Sequence, residues 1–373
     1  MAVKALMVVC LSKETIQADR LLRHNKESLR RSIVNSPEVY ERLVSSGNVS
    51  PGINVKEKRQ EKSQDYSNFK NEESAISTAV NHRSKRLIFT ADNRKKVPRK
   101  YIEKCPFTAA VMISTGCSGI LVSPKHVLTS AHCLHNGSHY VDGYRNLRVG
   151  FLLKNGTTVW HAVSSTKMSK QWKSGKDLNA TKYDYALIKL SKNHSRCFLP
   201  IAPSKAFFYR TACAHKAIHF TAFDEDREEG TMLYRSCRVE TLSTNLLYHC
   251  CDATAGSSGA GVYEIHRKSG SKKFQRYVVG VFSGNRDKLS RHPPTNCAGR
   301  VIFHRSFFHY PLYRVNYNAA LRLNEDDVYH ICTWMKKLGG ENCKKFLKER
   351  RRRRRQSRKR REKHKDERCQ GMF

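Results

Sequence analysis

Residues 117–133, CSGILVSPKHVLTSAHC, carry the pattern that most narrows the choice of fold. Two short apolar runs are joined by Ser-Pro-Lys, and the second leads into a small-residue turn with His132 between Ala131 and Cys133. Short apolar runs between turn residues are typical of antiparallel strands. A lone histidine beside a cysteine is usually structural, so a functional role for His132 requires partners elsewhere in the chain.

The same pattern of short apolar runs separated by turn residues extends from residue 87 to about residue 301. Further short apolar runs alternate with turn residues, and they read FTAAVMI, LRVGFLL, YALIKL and YVVGVFSG. Many short strands with turn signals between them predict an all-β sandwich or a pair of β-barrels.

One helix is predicted near the C-terminus, over residues 324–338. Asn324 is a suitable N-cap, acidic residues fill the first turn, Lys336 and Lys337 lie in the last turn, and Gly339 follows. This order matches the polarity of helix ends. Apolar spacing predicts one buried face, formed by Val328, Ile331, Cys332, Met335 and Leu338.

Two other stretches offer partners for His132. Asp184 opens a strand-like run in residues 183–190, YDYALIKL, and residues 251–262 read CDATAGSSGAGV. A serine becomes a nucleophile when a histidine accepts its proton and a carboxylate orients that histidine. Taken alone, each stretch has an ordinary alternative, an acid at a strand edge and a small-residue turn. The chain order His, Asp, Ser is that of chymotrypsin-like serine proteases.

Together these stretches resemble trypsin-like serine proteases, and among them the family of serine protease 23 and inactive serine protease 35. The resemblance rests on STGCSGILVSPKHVLTSAHC (114–133), LRVGFL (147–152), YDYALIKL (183–190), LLYHCCDATAGSSGAGVY (246–263), GVFSG (280–284) and ICTWMK (331–336). It implies an all-β, chymotrypsin-like fold of two six-stranded barrels with a C-terminal helix and disulfide bonds. It also implies a serine endopeptidase that acts on polypeptides. We find no metal-ligand spacing or phosphate-binding glycine loop, and expect no metal or cofactor.

The resemblance assigns a role to each residue of a catalytic triad. Ser258 is the expected nucleophile, His132 the general base, and Asp184 the residue that orients His132. The backbone N–H groups of Gly256 and Ser258 are expected to form the oxyanion hole. In the inactive relatives a threonine replaces the serine, whereas this chain has Ser258, with Gly259 directly after it.

Ser257 departs from the pattern of most trypsin-like enzymes, in which an aspartate directly precedes the nucleophile. That aspartate pairs with the ammonium group released by pro-segment cleavage and shapes the oxyanion hole. Serine protease 23-like proteins also lack it, so the departure belongs to the family. Ser257 cannot carry the charge, which leaves either a weaker site or a preformed one.

Three residues are predicted near a specificity pocket. Asp252 lies six residues before Ser258, the spacing of the pocket aspartate in trypsin, and predicts cleavage after Lys or Arg. Cys251 beside it leaves this register open, and the alternative is a surface acid. Ser283 and Asn285 are expected near the pocket, on a strand that holds the substrate backbone.

The 13 cysteines suggest an oxidising compartment. The resemblance pairs six of them, as Cys117–Cys133, Cys237–Cys251 and Cys332–Cys343. The pairing of six others stays open: Cys105, Cys197, Cys213, Cys250, Cys297 and Cys369.

The N-terminal region predicts secretion and processing. Residues 1–18 are interpreted as a signal peptide because Lys4 precedes the run ALMVVCL; the alternative is a short buried helix in a cytosolic protein. Residues 19–86 are interpreted as a pro-segment or disordered arm. They end in RSKR, which predicts proprotein convertase cleavage between Arg86 and Leu87 and a protease domain over 87–343. The alternative is a solvated charge run.

Sequons support a secreted, extracellular glycoprotein, and no run is apolar enough to span a membrane. The predicted glycosylation sites are Asn48, Asn136, Asn155, Asn179 and Asn193.

Residues 344–373 are interpreted as a basic, disordered tail. Residues 344–368 contain 16 Lys or Arg and 4 Asp or Glu, in a chain of net charge +38. Such a segment repels itself and suits a polyanion, which for a secreted protein is heparan sulfate or another glycosaminoglycan. The bland alternative is a solvated tail without a partner.

Two alternatives to an active protease remain at this point. A catalytically weak or silent protease-like protein, binding matrix polyanions, is kept open by Ser257 and the positive charge. A nuclear nucleic-acid binder would require every secretion signal to be misread. Nucleic acid is also disfavoured because no aromatic residues interleave with the basic ones.

Overall fold

The structure, a computed structural model, describes residues 41, 88–89, 92–174, 180–204, 217–267, 274–290, 301–304 and 312–370. Its strands are β1 Lys95–Lys96, β2 Ala110–Ile113, β3 Cys117–Ser123, β4 His126–Thr129, β5 Arg148–Leu152, β6 Thr158–Met168, β7 Ala186–Leu190, β8 Ala217–Ala222, β9 Leu233–Leu242, β10 Leu246–His249, β11 Gly261–Arg267, β12 Phe274–Ser290, β13 Val301–His304 and β14 Leu312–Arg322. Its α-helices are α1 Arg99–Ile102, α2 Lys170–Lys173, α3 Glu325–Met335 and α4 Gly340–Gln370.

The first barrel closes in the order β2-β3-β4-β7-β6-β5. Neighbouring strands are antiparallel, for example β4 with β7, where Val127 pairs with Ile188. Branched aliphatic side chains suit such a pleated, buried surface. The buried cluster includes Val111, Ile113, Leu121, Val127, Val149 and Ile188.

The second barrel closes in the order β8-β9-β10-β14-β12-β11, because β11 and β9 both pair with β8. β1 adds to β9 at one edge and β13 adds to β14. A second buried cluster fills this half, with Ile218, Phe220, Val262, Phe282 and Ala320 among its members. The predicted all-β, chymotrypsin-like pair of six-stranded barrels is confirmed.

The predicted C-terminal helix is confirmed as α3. Asn324 caps it, accepting hydrogen bonds from the backbone N–H groups of Asp326 and Asp327. The helix ends at Met335, and residues 336–339 form a 3-10 turn. Leu338 therefore leaves the buried face predicted for it and is 39% exposed.

The structure differs from the predicted disordered tail (344–373), because residues 344–370 belong to helix α4 (Gly340–Gln370). Arginine, lysine, glutamate and glutamine all favour helix. The helix also contacts the acidic first turn of α3, where Arg350 pairs with Asp326 and Arg353 lies 2.9 Å from Glu325. These contacts offset part of the repulsion among its basic residues.

Three of the described disulfide bonds close short loops of 11 to 16 residues, and a fourth joins cysteines 92 residues apart. The structure places three cysteine pairs suggested by the resemblance at bonding distance, and their Cα–Cα separations are 6.1 Å for Cys117–Cys133, 5.5 Å for Cys237–Cys251 and 5.3 Å for Cys332–Cys343. It adds Cys105–Cys197, with Cα atoms 6.0 Å apart, and Cys250 is also disulfide-bonded. Cys213, Cys297 and the side chain of Cys369 lie outside the described residues.

The predicted signal peptide lies outside the described residues, and so does the arm except for Glu41. The predicted cleavage residues Arg86 and Leu87 and the sequons at Asn48 and Asn179 also lie outside them. Glu41 is fully buried, and its carboxylate accepts hydrogen bonds from Arg276 and Tyr263. Within the described ranges, no helix has the length and apolarity needed to cross a membrane.

Candidate active site

His132 lies on a short 3-10 turn, Ala131–Cys133, that follows β4. The Cys117–Cys133 disulfide ties this turn to β3, and Thr115 Oγ1 donates a hydrogen bond to the carbonyl oxygen of Cys133 at 2.8 Å. The side chain of His132 remains 27% exposed. The turn therefore holds the imidazole firmly while leaving part of the ring accessible.

Asp184 precedes β7, and its side chain is 1% exposed. Its Oδ1 accepts a hydrogen bond from the backbone N–H of His132 at 2.9 Å, and its Oδ2 lies 2.8 Å from Nδ1 of the same residue. Burial alone would raise the pKa of this carboxyl. The charge of His132 and the hydrogen bonds outweigh burial and hold the pKa of Asp184 below its ordinary value. Asp184 is therefore an ionised acceptor at neutral pH.

Ser258 completes a chain of hydrogen bonds, because its Oγ lies 2.6 Å from Nε2 of His132. A carboxylate at Nδ1 favours the tautomer with its proton on Nδ1, which leaves Nε2 able to accept the hydroxyl proton. His132 and Asp184 come from the first barrel, and Ser258 precedes β11 of the second. The three predicted residues meet where the two barrels join.

Two glycines shape the turn around Ser258. Gly256 has a φ of 90° and Gly259 a φ of 81°, in the left-handed region that favours glycine. A Cβ on Gly256 would lie 2.2 Å from the carbonyl oxygen of Phe223, and one on Gly259 would lie 2.0 Å from Thr129 Oγ1. Both positions therefore exclude larger residues.

The backbone around Ser258 leaves two N–H groups available. In the described part of the chain, neither Gly256 N–H nor Ser258 N–H donates to an acceptor. Uncommitted N–H groups beside a nucleophile can stabilise a developing negative charge on a substrate oxygen. The two N–H groups predicted for the oxyanion hole therefore keep their hydrogen-bonding capacity in the described part of the chain.

Asp224 and Arg235 form a buried ion pair behind this turn, and both side chains are 0% exposed. Ser257 Oγ donates a hydrogen bond to Asp224 Oδ1 at 2.5 Å, and the backbone N–H of Thr254 donates to the same atom at 3.0 Å. Arg94 Nη1 lies 3.3 Å from that oxygen. Ser257, the residue that precedes Ser258, is thus hydrogen-bonded to the negative charge of Asp224.

Sequence reasoning missed this ion pair. Asp224 opens the run DEDREE at residues 224–229, which resembles a solvated loop, and Arg235 is one of two arginines in the polar strand β9. No spacing rule joins an acid in a loop to an arginine eleven residues later. Only the tertiary structure brings the two together.

The prediction that Asp252 lines a specificity pocket is not supported. Asp252 is 0% exposed, and its two carboxylate oxygens accept hydrogen bonds from the backbone N–H groups of Phe89 at 2.8 Å and Asn93 at 2.7 Å. Burial raises its pKa despite these bonds. Asp252 follows Cys251, which is tied to Cys237, and its carboxylate faces the backbone of Phe89 and Asn93, so it gives no basis for cleavage after basic residues.

Ser283 and Asn285, predicted near the pocket on the strand that holds the substrate backbone, lie on β12. Ser283 Oγ donates a hydrogen bond to Asp184 Oδ2 at 2.5 Å, so its side chain supports the carboxylate that orients His132. Asn285 Nδ2 donates to Asn316 Oδ1 at 3.3 Å, across the pairing of β12 with β14. Both side chains bond to other groups of the protein.

Comparison with known proteins places these observations in a family. Residues 96–293 match the family described as Trypsin. The chain is 34% identical over 273 residues to serine protease 23 of Bos taurus, an alignment that covers 68% of this chain and 66% of that protein. It is 35% identical over 275 residues to serine protease 23 of Homo sapiens, covering 68% and 65%. The chain thus spans about two thirds of the length of these relatives.

Inactive serine protease 35 of Mus musculus is also similar, with 32% identity over 305 residues, covering 68% of this chain and 69% of that protein. Among solved structures, a Glu endopeptidase in complex with MPD aligns at a TM-score of 0.46 and 18% identity, over 66% of this chain and 97% of that chain. The family match and the curated relatives agree. The chain therefore belongs to the trypsin family.

Proposed function

We propose that this protein is an active serine endopeptidase in which Ser258, His132 and Asp184 hydrolyse peptide bonds. The observation that carries the proposal is the unbroken hydrogen-bond chain from Ser258 Oγ through His132 to Asp184, with spacings of 2.6 and 2.8 Å. Family membership alone does not decide activity, because a similar relative is described as inactive.

The proposed reaction begins with attack of Ser258 Oγ on the carbonyl carbon of the scissile bond. His132 Nε2 takes the hydroxyl proton, and Asp184 stabilises the resulting imidazolium. The N–H groups of Gly256 and Ser258 donate to the carbonyl oxygen as it becomes negative. His132 then gives its proton to the leaving amine, and an acyl-enzyme remains on Ser258.

Water completes the proposed cycle. His132 accepts a proton from the attacking water, which adds to the acyl carbon, and the same two N–H groups again stabilise the oxyanion. Collapse of this intermediate releases the carboxylic acid product and returns the proton to Ser258 Oγ. Apart from this water, both halves use only groups of the chain and of the substrate.

The proposed position of the substrate backbone is the edge of β12 at residues 283–285. β12 pairs with β11 only as far as Val281, while it pairs with β14 up to Ser290. In the described ranges, the other edge at 283–285 has no strand partner. An extended peptide can add to such an edge through backbone hydrogen bonds.

The proposal is tested by cleavage of a peptide mixture, with new peptide ends identified by mass spectrometry. Wild type, Ser258→Ala and Ser191→Ala are compared, since Ser191 is an exposed serine outside the site. We expect cleavage by wild type and Ser191→Ala and none by Ser258→Ala. Equal products from all three, or none from folded wild type, would contradict the proposal.

Secretion and proteolytic processing are part of the proposal. Disulfides are typical of oxidising compartments, and the sequons at Asn136, Asn155 and Asn193 lie on exposed residues that can accept glycans. We propose that a proprotein convertase cleaves between Arg86 and Leu87. Glycosylated protein in culture medium, with an N-terminus at Leu87, would support both steps, whereas retention inside cells would contradict them.

A second candidate function is binding of glycosaminoglycans through α4. This helix presents a dense basic surface, on which Arg351, Arg352 and Arg355 are exposed. Sulfated polysaccharides are attracted to such a surface. This function does not require catalysis, and it also fits a catalytically silent protease-like protein.

Heparin chromatography with matched variants tests the role of α4. One variant replaces Arg351, Arg352 and Arg355 with glutamine, and a control replaces the exposed residues Arg99, Lys100 and Lys104. Both variants lose three positive charges. A specific site on α4 therefore predicts that the salt concentration needed for elution falls much more for the α4 variant than for the control variant. Equal shifts would indicate binding by net charge alone.

A further inference from the structure

We propose that the Asp224–Arg235 ion pair positions the oxyanion-hole N–H groups from within the fold, so that the catalytic turn forms without a new N-terminus at Leu87. This inference rests on the proposed function, because an oxyanion hole matters only if Ser258 attacks a carbonyl group. Asp224 and Arg235 are positioning residues in this scheme and do not contact the substrate.

The segment 223–225 acts as a template for the turn that precedes Ser258. Asp224 Oδ1 accepts hydrogen bonds from the backbone N–H of Thr254 at 3.0 Å and from Ser257 Oγ at 2.5 Å. The backbone N–H of Glu225 donates to the carbonyl oxygen of Ala255 at 2.7 Å. These hydrogen bonds hold Ala255 and Ser257, the residues on either side of Gly256, and therefore fix the direction of the Gly256 N–H group.

Arg235 holds the template in place. Its guanidinium pairs with Asp224, and it also donates to the carbonyl oxygens of Asp252 at 2.7 Å and Leu233 at 3.0 Å. A buried charge that loses its partner is strongly destabilising, so neither member of the pair can swing away without cost. The pair therefore fixes the position of the carboxylate relative to β9.

The segment that follows Arg86 is attached by groups that cleavage does not create. Phe89 and Asn93 bond to the Asp252 carboxylate through backbone N–H groups at 2.8 and 2.7 Å, and these exist in cleaved and uncleaved chains alike. The charge opposite Asp224 comes from the side chains of Arg235 and Arg94. Each of these contacts between described residues is made by a side chain or by a backbone group inside the chain.

The first test separates positioning from general stability. Ser257→Ala removes the hydroxyl that bonds to Asp224 and leaves the ion pair intact; Ser123→Ala removes another buried hydroxyl, which lies 2.8 Å from His126 Nδ1. A fluorophosphonate probe is used to measure the maximal inactivation rate and the probe concentration giving half that rate. We expect Ser257→Ala to lower the rate at least about tenfold with little change in half-saturation.

Ser123→Ala is expected to react like wild type. Equal rates for Ser257→Ala and wild type would overturn the inference. A similar loss in both alanine variants would also overturn it, because the effect would then follow stability alone.

The second test asks whether cleavage is required. Arg86→Gln keeps the chain uncleaved, and its rate of labelling is compared with that of processed wild type. We expect rates within about threefold, which is a small part of what an oxyanion-hole defect causes. Labelling confined to the processed form would overturn the inference while leaving the proposed function intact. No labelling of either folded form would instead refute the proposed function and, with it, this inference.

Discussion

Asp184→Asn tests the electrostatic arrangement of the site in the most direct way. The wild-type carboxylate accepts hydrogen bonds from His132 N at 2.9 Å, His132 Nδ1 at 2.8 Å and Ser283 Oγ at 2.5 Å. Asparagine keeps one acceptor oxygen, which can retain the bond from the backbone N–H of His132. Its NH₂ group, however, is a donor and cannot accept the proton on Nδ1. The imidazole then shifts its proton to Nε2, which can no longer act as a base for Ser258.

The expected magnitude follows from this wrong tautomer. The same exchange in a Ser-His-Asp triad lowers kcat about 10⁴-fold, which corresponds to roughly 5 kcal/mol of lost transition-state stabilisation. We expect a loss of about 10³ to 10⁴-fold in the rate of fluorophosphonate labelling at neutral pH. Thermal unfolding followed by circular dichroism checks that the variant is folded. A loss of less than tenfold in a folded variant would refute the role given to Asp184.

Three further predictions follow from contacts around the site and the arm. Ser283→Ala should lower the labelling rate about 10 to 100-fold, because a hydrogen bond to a charged group contributes about 1.5–3 kcal/mol; an unchanged rate would contradict this. Because the pKa of Asp184 is lowered in the folded state, its carboxylate stabilises the fold above the ordinary carboxyl pKa of about 4, and this stability is lost as the pH falls through the folded-state pKa. The melting temperature of wild type should therefore fall more steeply in acid than that of Asp184→Asn. Parallel curves for the two proteins would count against this prediction. Buried Glu41 accepts a hydrogen bond from Arg276 at 2.8 Å, so after cleavage at Arg86 the arm should co-elute with the protease domain in size-exclusion chromatography. The Glu41→Ala substitution should release the arm. Release of the arm from the wild-type protein would contradict this prediction.

Sequence reasoning succeeds where apolar periodicity and local chemistry agree. The stretches that form β2, β3, β4, β5 and β7 are short, apolar and bounded by turn residues, and all five strands are buried over most of their length. Helix α3 carries its own capping box at Asn324 and Asp327. In these elements the local preference and the tertiary environment favour the same conformation.

It fails for strands whose side chains face solvent or polar neighbours. β6 reads TVWHAVSSTKM and is exposed or half-buried along almost its whole length. β9 mixes Arg235, Cys237 and Glu240 with apolar residues, because it contributes both to the barrel core and to the network behind Ser257. Neither run has the alternation that identifies a half-buried strand.

The candidate site divides in the same way. His132, Asp184 and Ser258 lie in short motifs whose order along the chain is informative, and the structure brings them together. Asp252 could be placed only by spacing, and the turn that follows its disulfide-bonded neighbour directs it elsewhere. Asp224 lies in no motif, because its role depends on Arg235, which lies in strand β9.

The most direct test of the central claim is covalent labelling of the secreted, Arg86-processed protein with a fluorophosphonate probe, beside Ser258→Ala. The geometry of Ser258 and His132 predicts one labelled site in wild type, mapped to Ser258 by mass spectrometry, and no label in the variant. Absence of label from folded wild type, or equal labelling of Ser258→Ala, would contradict the claim that this chain is an active serine endopeptidase.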